Sequence, residues 1–545
     1  MKSVFSSPLA PIDMPPMARN IASFFLDRMH KLPEFARHDA PRPLYVNSSM
    51  PDESLTLAQF EKLVHSLASG LHHHVGVRPN DTVAVVLSNS IYYPAIVLGV
   101  LLAGAKCTPA NPAYTARELA HQLHDAGARV VVTSLAFQPL VNDALALCNS
   151  ANVTVLLEER DQPQSIFNLL CDKPLPDECA AAPVDAPALI PYSSGTTGLP
   201  KGVVLSHRNI IANALQVLAA HPQDQLAIPR TAIAVLPMFH SFGLLFLCVL
   251  MPISRTTTVV MSKFDLAEFL QLVEKHRVTD AMLVPPIINA LVKMPKLVQK
   301  HNLSSLTEII VGAAPLSSDT IDAFEALLPN VLVLQGFGLT EASPVVSFNP
   351  PDARRPLSVG RMMPSIDAIV VDALGRRLGP NETGELCFRG PNVMLGYLNN
   401  PEETARCIDA EGFFHTGDIG HIDDASFIYI TDRKKELIKY NGFQVAPAEL
   451  EGILMQHESV KDCAVVGVFD EERQTEVPRA FLVLDSTTMA PNGSHDANAV
   501  ASEIVCWLNR QVAYYKHLRG GYRLVDAVPK SASGKLLRRM LKEMD

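Results

Sequence analysis

The 545-residue chain is 48% hydrophobic and 19% charged, a composition that builds packed cores and excludes a disordered protein. Its length exceeds what one compact core accommodates, so two or more domains are expected. A formal net charge of −10 leaves no basic excess to neutralise phosphates, which argues against nucleic acid as the main partner.

The nine cysteines are scattered, without CxxC pairs or His/Cys clusters, so reduced thiols and no zinc site are expected. The opening stretch, MKSVFSSPLAPIDMPPM, lacks the apolar centre of a secretory signal. Ala95–Ala105 and Leu244–Ile253 are too short to span a bilayer, and the closing KEMD is neither a peroxisomal nor a prenylation signal. A cytoplasmic enzyme without a membrane span is the expectation.

In chain order, DTVAVVLSN predicts a buried strand, IYYPAIVLGVLLAGA a helix and ARVVVTS another strand. TAIAVLPM and TTTVVMSKF predict strands on either side of a buried helix, and SLTEIIVGAAP and NVLVLQGFG predict strands ending in glycine turns. This alternation predicts an α/β fold: a large N-terminal domain of α/β subdomains with mostly parallel sheets. Short β-like segments from about residue 350 (GELCFRG, GFFHTGD, ASFIYITDR) add a β-rich subdomain. A hairpin, ELIKYNGFQV, a helix, PAELEGILMQH, two strands and a helix near Val500–Arg510 then predict a small, mobile α+β C-terminal domain. The expected division is 1–434 and 435–545. Asp485–Asn498 reads as a surface loop, and His72-His73-His74 as a solvated helix end.

The most informative stretch runs from Tyr192 to Gly202, YSSGTTGLPKG. Its glycines let backbone N–H groups approach an anion, its hydroxyls add donors, and Lys201 supplies a compact positive charge. It is not a Walker A loop, because Gly202 rather than Ser or Thr follows the lysine. A polar surface loop is the bland alternative.

SSGTTGLPKG resembles the phosphate loop of the adenylate-forming superfamily, which includes acyl-CoA synthetases, 4-coumarate–CoA ligases and firefly luciferase. QGFGLTE, TGD, DRKKELIKYNGFQV and PKSASGK follow in that family's order, and the resemblance runs from about residue 40 to Arg538. PMFHSFG, VGAAPL and GFQVAPAELE point to the coumarate-ligase and luciferase-like branch. The resemblance implies an ATP-dependent acid–thiol ligase that activates a carboxylic acid as acyl-AMP and transfers it to coenzyme A, with Mg²⁺.

Residue by residue, it implies that Ser193, Ser194, Gly195, Thr196, Thr197 and Lys201 cradle phosphates. Ala313, Gln335, Gly336, Thr340, Lys435, Lys439 and Gln444 join the ATP/AMP site, Glu341 holds Mg²⁺, and Asp418 and Arg433 take the ribose hydroxyls. His240 meets the substrate carboxylate. Lys535 offsets the repulsion as that carboxylate attacks the α-phosphate, and Thr340 and Lys439 assist catalysis. Lys435 is the hinge about which the small domain swings, while Lys263, Asn441 and Gly442 serve coenzyme A. Without the family, Lys535 and Lys263 read as solvated lysines, Asp418 and Arg433 as a surface pair, Glu341 as a helix-start carboxylate and His240 as a core histidine.

The implied acyl pocket falls on Phe242, Phe246, Ile310, Val311, Gly312, Gly338, Pro344, Val345 and Phe348, with Gly336 beside it. Coumarate ligases place a lysine where Ile310 stands, so apolar medium-chain or aryl acids are favoured over phenolic ones. The alternatives left open are an adenylating enzyme loading a carrier protein in trans, a luciferase-like oxygenase and a catalytically dead ligand-binding homologue.

Overall fold

The computed structural model describes residues 4–14, 20–30, 42–148, 152–180, 183–193, 200–220, 229–314, 316, 318–355, 357–440, 443–485, 496–531 and 534–544. Among them, two large sheets, one smaller antiparallel sheet and a separate C-terminal lobe are built.

The first large sheet has Thr82–Val86 at its centre, between Lys106–Pro109 and Ala128–Thr133, all parallel. All five residues of Thr82–Val86 are buried, as expected of a strand covered on both faces. The helix Tyr93–Leu102 is apolar all round and every residue in it is buried, so it packs inside the lobe and not on its surface. The second large sheet aligns Thr257–Val260, Thr231–Ala234, Asp280–Leu283, Glu308–Val311 and Leu332–Gly338 in parallel, then turns antiparallel at Val345–Phe348. The strands carrying GAAP and QGFG therefore end side by side, at the edge where open α/β sheets bind ligands.

The antiparallel sheet joins Asp367–Val371, Gly384–Arg389, Phe414–Ile422 and Ile428–Arg433. Its last two strands pair Asp418 directly with Arg433. One large core draws on residues from Ile21 to Ile428. The C-terminal lobe has its own, starting at Ile438, around the long hairpin Val460–Asp470/Thr475–Leu484 and the helices Pro447–Leu454 and Ala497–Asn509. The last residue of the first core is Ile428 and the first of the second is Ile438.

Two local expectations are corrected. The expected loop 485–498 gives way to a helix at Ala497, because Asp496 caps the helix by accepting the Asn498 N–H at 3.0 Å. His72 is buried, not solvated: the Leu71–Val75 turn winds as a π-helix and sets its ring against Cys179, Nδ1 3.6 Å from the sulfur. No described helix is long and apolar enough to cross a membrane.

Candidate active site

A cleft of about 1410 Å³ opens between the lobes, lined by Ser193, Lys201, His240, Gly336, Thr340, Glu341, Arg433, Lys435, Lys439 and Lys535. Each wall has a local cause. Thr340 and Glu341 come after Gly338, where a Cβ would lie 2.2 Å from the Pro344 carbonyl oxygen, so only glycine permits the turn. Two buried asparagines hold the backbone from Ala342 to Val345. Asn392 Nδ2 donates to Ala342 O at 2.8 Å, and Asn213 both donates to Val345 O (2.7 Å) and accepts its N–H (3.0 Å).

Glu341 Oε1 accepts from Ser193 Oγ and from the Tyr397 hydroxyl, both at 3.0 Å. Lys201 pairs with Glu403 and its ammonium sits over the Tyr397 ring, 5.1 Å from the centroid. Asp418 is 3% exposed. One of its oxygens takes Arg433 Nε at 3.1 Å, while the other, Oδ2, is buried without a partner among the described residues. An unpaired buried acceptor costs about 1–3 kcal/mol, so this oxygen is poised for a ligand hydroxyl. Burial pushes the Asp418 carboxyl above its ordinary value, against the pull of Arg433 and Lys535.

Lys535 comes from the small lobe, on a turn closed by Ser531 N–H to Lys535 O (2.8 Å) and Gly534 N–H to Ser531 O (2.8 Å). Burial, then the Arg433 guanidinium, pushes its ammonium down to about 8, against Glu436, Asp418 and Glu341. Across the cleft, His240 caps the helix Ser241–Leu245, its Nδ1 accepting the Phe242 N–H at 3.4 Å. Burial, then Lys535, lowers the His240 pKa to about 4. The ring is neutral at pH 7, and with Nδ1 accepting, its proton sits on Nε2 as a donor. Ser241 Oγ lies 3.4 Å from Thr340 Oγ1.

The apolar end of the cleft collects Phe242, Phe246, Ile310, Val311, Gly312, Gly338, Pro344, Val345 and Phe348. Phe242 and Phe246 meet edge to face at 5.1 Å. Ala313, also on the cleft wall, adopts φ 72° at the strand-end turn.

Several expected residues lie elsewhere. Gln335 is buried outside the cleft, its Oε1 accepting the Leu316 N–H at 3.4 Å, so it braces the turn from behind. Lys263 is exposed and outside the cleft lining, since its strand ends before it. Ser194, Gly195, Thr196, Thr197, Asn441 and Gly442 lie outside the described residues, and Gln444 is described only as a backbone partner of Lys439. Motif reading missed Tyr397, Glu403, Glu385 and Lys434. Glu385 holds the stretch before Lys435 by accepting from Lys434 Nζ (2.8 Å) and the Gly417 N–H (3.2 Å). Tyr397, Glu403 and Glu385 stand in no dense polar run, while Lys434, inside DRKKELIKYNGFQV, was passed over for its neighbours Arg433 and Lys435.

The model of the AMP-binding enzyme family matches residues 32–398, and that of its C-terminal domain matches residues 449–535. The chain belongs to the AMP-binding, adenylate-forming enzyme family. Within it, the ligase is 38% identical over 512 residues to 4-coumarate–CoA ligase 2 of Nicotiana tabacum, covering 92% of this chain and 91% of the relative. It is 41% identical over 503 residues to 4-coumarate–CoA ligase 5 of Oryza sativa subsp. japonica, covering 90% and 89%. Its fold matches ATP-bound MatB of Rhodopseudomonas palustris with a TM-score of 0.82 at 27% identity, covering 97% of this chain and 99% of that one. It also matches the o-succinylbenzoate CoA synthetase of Bacillus subtilis in complex with its acyl-adenylate, with a TM-score of 0.77 at 25% identity, covering 95% and 97%. The protein is thus an enzyme of the AMP-forming acid–CoA ligase family.

Proposed function

We propose that the ligase activates an apolar carboxylic acid, a medium-chain fatty or aryl acid, as its acyl-adenylate and then transfers the acyl group to coenzyme A. The observation that carries this reading is Lys535. A half-buried lysine of one lobe lines the other lobe's cleft, close to Asp418, Glu341 and Arg433 and across from a neutral His240. A fixed ammonium there offsets the repulsion between an attacking carboxylate and an α-phosphate.

The remaining residues suit nucleotide and acid. The unpartnered Asp418 Oδ2 and the Arg433 guanidinium suit ribose hydroxyls, and Lys201 with Ser193 suits the phosphates. Glu341, between the hydroxyls of Ser193 and Tyr397, offers the single hard-oxygen carboxylate that a nucleotide-bound Mg²⁺ takes from protein. Mg²⁺ there would neutralise phosphate charge. The Nε2–H of His240 orients the substrate carboxylate, whose oxygen displaces pyrophosphate. In the second step the coenzyme A thiolate attacks the acyl carbonyl and AMP departs, which requires Lys535 to withdraw. Lys435, on the cleft wall between the lobes, is the pivot, and Lys439 on the following strand enters with the new face.

The apolar end of the pocket supports the substrate class. Ile310 is 7% exposed, packs within the hydrophobic core and offers no hydrogen-bonding group, so a ring hydroxyl placed against it would lose its hydrogen bonds. A pyrophosphate-release screen over a panel of acids, with and without coenzyme A, tests the reading. Release with medium-chain or unsubstituted aryl acids, and thioester product only with coenzyme A, is the expected result. Preference for hydroxycinnamates, or thioester formed only on a phosphopantetheinyl protein, would overturn it.

A further inference from the structure

The large lobe touches the small lobe through both ends of one helix, Pro285–Lys293. At its start, Gly534 of the Lys535 turn rests on Pro286 and Val284, where an added Cβ would sit 3.4 Å from each. At its end, Lys293 Nζ donates to Val460 O (3.1 Å) and to Lys461 O (2.8 Å) on the small lobe. The contact falls where the long hairpin shifts register between Val460, which pairs with Leu484, and Asp462, which pairs with Val483, so the bulge leaves Lys461 without a cross-strand partner. Lys293 is exposed as a residue, and partial burial of its ammonium end lowers it from its ordinary value, against Asp462 and Asp485.

The gripped bulge is tied to the catalytic turn. Asp462, at the bulge, accepts from Lys530 Nζ at 2.6 Å, and Lys530 bridges to Leu536 at the base of the turn that carries Lys535. A nine-residue helix spans about 13 Å and does not bend at this scale. Its two ends therefore set both where the turn seats and how far it reaches. The only role the last-turn position itself requires of a lysine is a favourable end charge, which would need no contact across the lobes.

We propose that Lys293 is a positioning residue for the adenylation step: it grips the small lobe's bulge and holds that lobe where Lys535 enters the cleft. The inference rests on the two-step reading above. Withdrawal of Lys535 for the thioester step breaks the grip, so Lys293 acts in one half-reaction only.

The test is Lys293→Met, which keeps most of the stem and removes the charge, measured in both half-reactions. ATP–pyrophosphate exchange is expected to fall about tenfold, the worth of a charged hydrogen bond at a part-exposed site. Conversion of preformed acyl-adenylate and coenzyme A to thioester is expected to stay unchanged. Lys293→Arg should restore exchange, and Lys293→Met should cost nothing further in a Lys535→Ala background, because the grip acts through Lys535. Equal loss in both half-reactions, no loss in either, or an additive loss with Lys535→Ala overturns the proposal while leaving the two-step function intact. If the wild type releases no pyrophosphate with any acid, the function itself fails. Spin labels, one on each lobe, then decide the grip: the inter-lobe distance must broaden in Lys293→Met, and an unchanged distance overturns it.

Discussion

The two ends of the cleft are built by opposite rules. At the nucleotide end charged groups meet specific polar partners: Asp418 takes Arg433 through one oxygen, Lys201 pairs with Glu403, and Glu341 accepts from two hydroxyls. At the acyl end there is only packing, Phe242 against Phe246 and Ile310 beside Val311, with no charged side chain among the expected wall residues. Pairing demands particular residue types at particular spacings, whereas packing accepts many apolar combinations of similar volume. On the proposed reading, the difference lets one end fix the chemistry and the other the choice of acid.

That contrast can be broken at three points. Lys435→Pro should have the largest effect. Proline fixes φ near −65° and restricts Lys434 as well, so the pivot locks. Thioester formation should be abolished while ATP–pyrophosphate exchange remains measurable, and equal loss of both would show that no swing is needed. Ile310→Lys attacks the apolar end. An unpaired charge in that wall should lower kcat/KM for apolar acids by about 100-fold or more while ATP binding in the absence of acid is kept. Equal loss of ATP binding would mean that the two ends are not separate.

The smallest effect is a pH dependence. The protonated form of Lys535 is the working one, and its pKa is lowered to about 8, so the charge is present below that value and lost above it. Adenylation kcat/KM should fall towards tenfold per pH unit above about 8, and Lys535→Arg, always charged, should flatten this limb. A profile that rises through pH 8 would contradict the role.

The same contrast decides how much was legible in the sequence. Strands such as Thr82–Val86 and Glu308–Val311 were legible because continuous burial demands unbroken apolar runs. Thr340, Glu341, Asp418, Arg433 and Lys535 stand in dense, ordered motifs; four of them line one cleft, and Asp418 is buried against Arg433 at its wall. Tyr397 and Glu403 were not legible, since one hydroxyl and one carboxylate in GYLNNPEE look like any turn and helix start until Lys201 and Glu341 are placed beside them. Lys293 was hidden for a similar reason: its partners are backbone carbonyls at a bulge, and a bulge leaves no residue signature. Gln335 misled in the other direction, because its motif runs into the cleft while its side chain turns away to Leu316. His72 was misjudged because the three histidines were read together as one solvated helix end, whereas the π-turn buries the first and leaves the other two exposed.

The most direct measurement is Lys535→Ala followed through each half-reaction separately. The account predicts that ATP–pyrophosphate exchange falls by roughly 10²–10³-fold while preformed acyl-adenylate still reacts with coenzyme A at close to the wild-type rate. Exchange that proceeds unchanged without this ammonium would contradict it.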